Sequence, residues 1–71
     1  MKNKFAERLK ELRIEKGLTQ SQLALNLNEQ ISQRAISDYE HNRRTPSIDA
    51  AIILARYFKV SVDYLVGNTD Y

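Results

Sequence analysis

The sequence has no cysteine and a single histidine among its 71 residues. Without thiols the chain can form neither a disulfide framework nor a thiolate metal site, and one histidine alone argues against zinc. The absence of cysteine suits a reducing cytosol. The sequence also offers no glycine-rich phosphate loop and no set of acid, base and nucleophile, so we expect no enzyme, no cofactor and no small-molecule ligand.

A long apolar run is missing as well. The longest apolar stretch, Ile48 to Ala55, is interrupted by Asp49 and is too short to cross a bilayer. The first residues contain no apolar run of the length that a secretory signal needs. We therefore expect a soluble cytoplasmic protein without membrane contact. Its net charge of +2 and pI near 9.1 do not identify a partner, so the positions of the basic residues matter more than their number.

The chain contains only two glycines and one proline, and no segment alternates apolar and polar residues as strands do. A chain of this length forms one domain, near the lower limit for a single apolar core. The sequence therefore predicts an all-α fold, a compact bundle of five helices in one domain over residues 1–71. We expect residues 3–67 to be structured and the tail, residues 68–71, to be frayed.

Two helices are predicted in the first third of the chain. The first runs from Phe5 to Lys16, and Gly17 fits the left-handed residue that closes it. Thr19 then caps the second helix, with Gln22 completing a capping box. The residues expected on the two inner faces are Phe5, Leu9 and Leu12, then Leu23, Ala24 and Leu27.

The third helix follows a polar turn, and its start has two interpretations. In the first, Asn28 takes a positive φ and Ser32 caps a helix that ends at about Glu40 or His41. In the second, Asn28 is itself the cap and the helix begins at Glu29. The second remains possible because the apolar residues would still share one stripe: Ile31, Ala35, Ile36 and Tyr39.

Two further helices complete the predicted bundle. Pro46 disfavours helix in the residue before it, so Thr45 or Ser47 caps the fourth helix. The fifth begins at Ser61 and is closed by Gly67. The expected inner residues are Ile48, Ile52, Ala55 and Phe58 in the fourth helix, and Val62, Leu65 and Val66 in the fifth.

The second and third helices, joined by a short turn, form a helix-turn-helix pattern, in which the second helix of the pair enters the DNA major groove. Four polar residues are expected on the outward face of the third helix as base contacts: Gln33, Arg34, Ser37 and Asp38. Glutamine pairs with adenine and arginine with guanine. Asp38 is repelled by phosphates unless it accepts from a cytosine amine, so it can also serve to reject wrong sequences. The alternative is that these residues form an ordinary solvated face.

Phosphate contacts are expected on either side of these residues. Arg43 and Arg44 lie in a polar loop after the third helix and would follow the DNA backbone, although adjacent arginines are also common solubilising charges. Gln20 lies at the positive end of the second helix, where it can bind phosphate or simply fill the capping sequence. The full expected set is Gln20, Ser32, Asn42, Arg43 and Arg44.

The sequence resembles the phage repressor and Cro family of helix-turn-helix domains, the lambda-repressor-like type. The matching residues are 12–20, Leu23, Ala24, Ser32, Ile36, Ser37, Tyr39, Glu40, Pro46, Ser47, Val60, Ser61, Val62, Asp63, Leu65 and Gly67. The resemblance implies five helices with the third in the major groove, a phosphate contact from Gln20, and an internal ion pair between Arg13 and Glu40. Family members usually have two fewer residues between the positions of Leu27 and Ile31, so residues 28–30 make an extended turn.

The leading hypothesis is a sequence-specific transcriptional regulator, a repressor that binds a two-fold operator on double-stranded DNA as a weak homodimer. The alternatives are an antitoxin-type autorepressor that also binds a protein, and a helical protein-interaction module that does not bind DNA. The dimer is expected to form through apolar residues of the last two helices: Ile53, Tyr57, Tyr64 and Val66.

Overall fold

A computed structural model describes residues 4–70 of the chain. Its elements, in chain order, are α1 (Phe5–Glu15), α2 (Gln20–Asn26), α3 (Gln33–Glu40), α4 (Ile48–Phe58) and α5 (Val62–Val66). Within the described range every regular element is a helix, so the predicted all-α fold with five helices is confirmed. Helix α1 packs against α3 and α5, α2 packs against α3, and α4 packs against α5. The two ends of the predicted domain, residues 1–3 and 71, lie outside the described residues.

Four of the helices start at a hydroxyl residue whose side-chain oxygen accepts the backbone N–H three residues later. These caps are Thr19, Ser32, Ser47 and Ser61, with N···O distances of 2.9 to 3.1 Å. Each such cap contributes about 1 kcal/mol of stability. Gln22 completes the capping box at Thr19, as predicted. The caps also settle two open choices, because Ser47 rather than Thr45 starts α4, and Ser32 rather than Asn28 starts α3.

All five helices end in the same way. A left-handed residue follows each one, and the next N–H bonds to the carbonyl oxygen five residues before it, which is the Schellman arrangement. The left-handed residues are Gly17, Asn28, Asn42, Lys59 and Gly67. Glu29 takes a second consecutive left-handed conformation, with φ 58° after 55° at Asn28. This pair is the extended turn, and it excludes the interpretation in which α3 begins at Glu29.

The core draws one completely buried large side chain from each helix. These residues are Leu9, Leu23, Ile36, Leu54 and Leu65. Ile31, Ala35 and Tyr39 join them, as the sequence predicted. The Tyr39 and Phe5 rings pack edge to face, with 5.3 Å between their centroids.

The predicted inner face of α4 is partly wrong. Ile48 is 78% exposed and Ile52 is half-buried, whereas Ala55 and Phe58 are buried as expected. The buried stripe is Ala50, Ala51, Leu54, Ala55 and Phe58. Three alanines occupy the buried stripe, and Ile48 and Ile52 lie outside it.

Residues 68–70, which the sequence predicts to be frayed, make hydrogen bonds to α5 and α1 in this structure. The Asn68 N–H donates to the Asp63 carbonyl oxygen at 2.8 Å. Arg8, a residue that is 8% exposed, donates to the backbone oxygens of Tyr64 and Thr69, and its guanidinium lies 4.2 Å from the centre of the Tyr64 ring. A buried guanidinium needs acceptors, and Tyr64 of α5 and Thr69 of the tail supply them, so Arg8 joins α1 to both segments.

Candidate nucleic-acid interface

Helix α3 has two faces with different roles. Ala35, Ile36 and Tyr39 are buried in the core, while Gln33 and Arg34 are exposed in the first helical turn. The Arg34 side chain is 85% exposed. In helix-turn-helix proteins the N-terminal residues of the second helix contact base edges. Two of the four predicted base-contact residues are therefore exposed in the first turn of α3.

Ser37, the third of these residues, is half-buried one turn further along α3. Its carbonyl oxygen lies 2.8 Å from the Nδ1 of His41. The hydroxyl is 3.4 Å from the same ring nitrogen. Ser37 is therefore less accessible than Gln33 and Arg34, and its partner is the residue that ends the helix.

The predicted outward position of Asp38 is wrong. Asp38 is 9% exposed, and its carboxylate lies among three guanidinium groups. The distances are 3.8 Å to Arg34 Nε, 3.7 Å to Arg43 Nη1 and 3.5 Å to Arg44 Nη2. Arg34 shares a helix face with Asp38 because the two are four residues apart. The other two arginines reach it because the loop after α3 turns back over the helix.

A buried ion pair fixes the C-terminal end of α3. Arg13 on α1 donates to both carboxylate oxygens of Glu40, from Nε at 2.7 Å and from Nη2 at 2.9 Å. Its remaining terminal nitrogen donates to the Leu18 carbonyl oxygen at 2.6 Å. The hydrogen bond to Glu40 raises the pKa of Arg13 above its ordinary value. The ion pair implied by the family resemblance is thus present, and it ties α3 to α1 with both side chains nearly inaccessible.

Gln20, a predicted phosphate contact, takes part in this same network. Its side-chain amide donates to Glu40 Oε1 at 3.1 Å, which links the start of α2 to the end of α3. Gln20 is half-buried, so part of the residue still reaches the surface. The sequence did not indicate this link, because it depends on the approach of two helix ends that are far apart in the chain.

The other predicted phosphate contacts are exposed at the two ends of α3. Ser32 is exposed, and its oxygen accepts from Ala35 N, which leaves the hydroxyl hydrogen as a donor. Asn42, Arg43 and Arg44 are exposed beyond the other end of the helix. The Arg43 N–H donates to the Asp38 carbonyl oxygen at 2.8 Å, so the basic loop is attached to the helix through its backbone.

The four predicted dimer residues are all half-buried. Ile53 and Tyr57 are half-buried against the core, and the Tyr57 hydroxyl accepts from the Asn26 side chain at 2.9 Å. Tyr64 lies against Arg8. Among residues 4–70, the large apolar side chains that are exposed are Ile14, Leu25, Ile48 and Val62.

Two of these exposed residues border an apolar groove on α4 and α5 with a volume of about 360 Å³. Its apolar lining is Phe5, Pro46, Ile48, Ala51, Ile52, Val62 and Val66. Val66 is half-buried in this lining and is the one predicted dimer residue that borders the groove. The sequence reasoning missed the groove because it assigned Ile48 to the core.

None of the helices in the described part of the chain is long and apolar enough to cross a membrane. Among residues 4–70, no three His, Asp or Glu side chains come together as metal ligands do.

Comparison with known proteins gives consistent matches. Residues 9–65 match the family described as Helix-turn-helix, HTH_3. The chain is 39% identical over 66 residues to the HTH-type transcriptional regulator YobD of Bacillus subtilis, covering 93% of this chain and 57% of that protein. It is 39% identical over 66 residues to the HTH-type transcriptional regulator ImmR of the same organism, covering 93% of this chain and 50% of that one.

A third relative is the HTH-type transcriptional activator BcrR of Enterococcus faecalis, 35% identical over 66 residues, with 93% of this chain and 31% of that protein covered. The chain thus spans about half the length, or less, of these relatives. The family match confirms the resemblance drawn from the sequence. The chain belongs to the Cro/C1-type helix-turn-helix family and is a DNA-binding domain of the kind found in transcriptional regulators.

Proposed function

We propose that the protein is a sequence-specific transcriptional regulator whose helix α3 enters the major groove of double-stranded DNA. One observation carries this proposal. The first turn of α3 exposes Gln33 and Arg34, while its other end is held by the buried pair of Arg13 and Glu40. A reading helix must expose polar side chains and still keep a fixed position, because specific contacts depend on geometry.

Base contacts come from Gln33 and Arg34, with Ser37 as a further contact one turn along. A bidentate arginine favours guanine and a glutamine favours adenine, each contributing about 1 to 3 kcal/mol of discrimination. Phosphate contacts come from Ser32 and Gln20 before the reading turn and from the loop beyond it. Those loop residues, Asn42, Arg43 and Arg44, provide affinity and orientation without sequence information.

The regulator acts as a repressor on a two-fold operator. A domain that is bound to its operator blocks the access of other proteins to that DNA without having to contact them. A two-fold site requires a two-fold protein, with reading helices about 34 Å apart. The second copy lies on the apolar groove of α4 and α5, where Ile48 and Val62 are exposed. Thr45 and Pro46, on the rim of this groove, directly follow Arg43 and Arg44, so the copy sits beside the basic loop.

Selection of bound sites from random DNA tests the function directly. The expected result is a short palindromic consensus, with binding that weakens steeply as salt rises because phosphate contacts release counterions. Absence of enrichment, together with binding to a protein partner that is insensitive to salt, would instead support the protein-interaction module. A reporter gene behind the selected site then separates repression from activation.

The dimer is tested with Ile48→Glu combined with Val62→Glu, two substitutions at exposed positions that leave the core intact. We expect the double variant to bind a half-site normally and to lose cooperative binding to the full palindrome. The matched control is Ile14→Glu combined with Leu25→Glu, at exposed apolar residues outside the groove. Cooperative binding that survives in the groove variant would place the dimer contact elsewhere.

A further inference from the structure

The carboxylate of Asp38 lies near three arginines to which the proposed function gives two different roles. Arg34 belongs to the reading helix, whereas Arg43 and Arg44 belong to the loop that follows it. The Asp38 side chain is 13% exposed, and the three arginine side chains are 85%, 65% and 52% exposed. One nearly buried anion therefore faces three cations whose long side chains extend into solvent.

The backbone holds the same groups together. The Arg43 N–H donates to the Asp38 carbonyl oxygen, and the Asn42 N–H donates to the Tyr39 carbonyl oxygen at 3.1 Å. Asn42 is left-handed, with φ 59°, which reverses the chain after α3. The loop thus returns over the last turns of α3, and this brings Arg43 and Arg44 close to the Asp38 carboxylate of that helix.

The distances in this cluster are those of ion pairs rather than hydrogen bonds. At 3.5 to 3.8 Å, the guanidinium groups are too far from Asp38 for direct hydrogen bonds, so their N–H donors remain available to another acceptor. A flexible arginine loses rotamer freedom when it binds, and a nearby carboxylate restricts it beforehand. The same carboxylate repels every phosphate that approaches, whatever the DNA sequence.

We propose that Asp38 is a positioning residue that orients Arg34 with respect to Arg43 and Arg44 and does not itself contact a base. Repulsion between the Asp38 carboxylate and DNA phosphates weakens binding to every sequence. The restriction of the Arg34 side chain strengthens binding only at sites that carry the base recognised by Arg34. Asp38 thereby raises the ratio of operator binding to random binding. The inference rests on the proposed function, since it requires α3 to face DNA.

The direct test is Asp38→Asn, which keeps the shape of the side chain and the backbone bond to Arg43 but removes the charge. Random duplex should bind about 3- to 10-fold more tightly, with the salt dependence steeper by about one ion, because one opposing charge is gone. Preference at the base pair read by Arg34 should fall at least about fivefold, because the side chain is no longer oriented. Asp63→Asn removes the same charge from an exposed residue of α5 and should leave the preference unchanged.

A second measurement needs no DNA. Relaxation of the arginine Nε–H signals in the free protein should show restricted side chains at positions 34, 43 and 44, and more motion in Asp38→Asn. If the wild-type protein selects no DNA sequence, the proposed function fails, while this measurement still decides whether Asp38 restrains the arginines. If the operator is bound but Asp38→Asn alters one base preference alone, with unchanged salt dependence and arginine motion, Asp38 is a base contact and the inference is overturned. An unchanged operator-to-random ratio overturns it equally.

Discussion

Helix α3 carries two kinds of arginine–carboxylate contact. At Glu40, Arg13 makes two hydrogen bonds of 2.7 and 2.9 Å, and both side chains are nearly inaccessible, at 12% and 3% exposure. At Asp38, three arginines approach to between 3.5 and 3.8 Å and are largely solvated. Buried pairs with good geometry are costly to break, whereas exposed pairs contribute little to stability. The first contact therefore holds the fold, and the second leaves the arginine N–H donors available to other acceptors.

The largest expected effect comes from breaking the buried pair. Glu40→Ala should lower the free energy of unfolding by about 3 to 5 kcal/mol, because it leaves the Arg13 guanidinium buried without its partner. Denaturant unfolding of the two single variants and of the double variant with Arg13→Ala measures the coupling. Glu15→Ala, at an exposed position at the end of α1, is the control. A coupling energy near zero would show that the two side chains act independently.

This contribution should persist across the neutral pH range. The folded-state pKa of Arg13 is raised, so the stabilisation is complete below the ordinary arginine pKa and is lost only as pH rises through the higher folded value. Titration of the arginine therefore cannot cause a change in stability near neutrality.

The next effect concerns base recognition. Arg34→Ala should weaken operator binding by about 1 to 3 kcal/mol and relax the preference at one base pair, because the side chain is exposed in the reading turn. Binding titrations on matched and mismatched sites measure both quantities. The variant should unfold like the wild type, and equal losses on every sequence would contradict the role.

Arg43→Ala should act differently. We expect weaker binding to all sequences alike and a salt dependence smaller by about one ion, because a phosphate contact carries no sequence information. Titrations at several salt concentrations on operator and random duplex test this. A sequence-dependent loss would assign Arg43 to base recognition instead.

The smallest effect should be that of Asp38→Asn on stability. Its partners are largely solvated arginines that remain hydrated without it, so the free energy of unfolding should change by about 0.5 kcal/mol or less. Denaturant unfolding of Asp38→Asn and Glu40→Ala under the same conditions compares the two losses of stability directly. A loss as large as that at Glu40 would mean that the two contacts on α3 are of the same kind.

Much of this architecture follows from local sequence. The cap at Thr19 was predictable because a hydroxyl before an apolar stripe has few other roles at that position, and Gly17 was predictable as a left-handed residue. Ser32 and Asn28 were predictable only as one of two interpretations, because the apolar stripe of α3 fits both starting points. Lys59, which is also left-handed, carries no such signal, and only the packing of α4 against α5 requires a turn there.

The candidate site was predictable only in part. The exposed positions of Gln33 and Arg34 follow from the period of α3, and the pair of Arg13 with Glu40 followed from the family resemblance. The burial of Asp38 did not follow, because its surroundings depend on a loop that returns over the helix after Asn42. The role of Arg8 was also missed, since its partners are backbone oxygens near the other end of the chain.

The distribution of completely buried leucine and isoleucine side chains has a consequence for how the molecule opens. Because each helix contributes one such residue to the same core, no helix can detach without exposing a large apolar side chain and leaving a cavity among the other four. The domain should therefore open as one cooperative unit rather than helix by helix. The slowest-exchanging amide protons of all five helices should then report the same opening free energy.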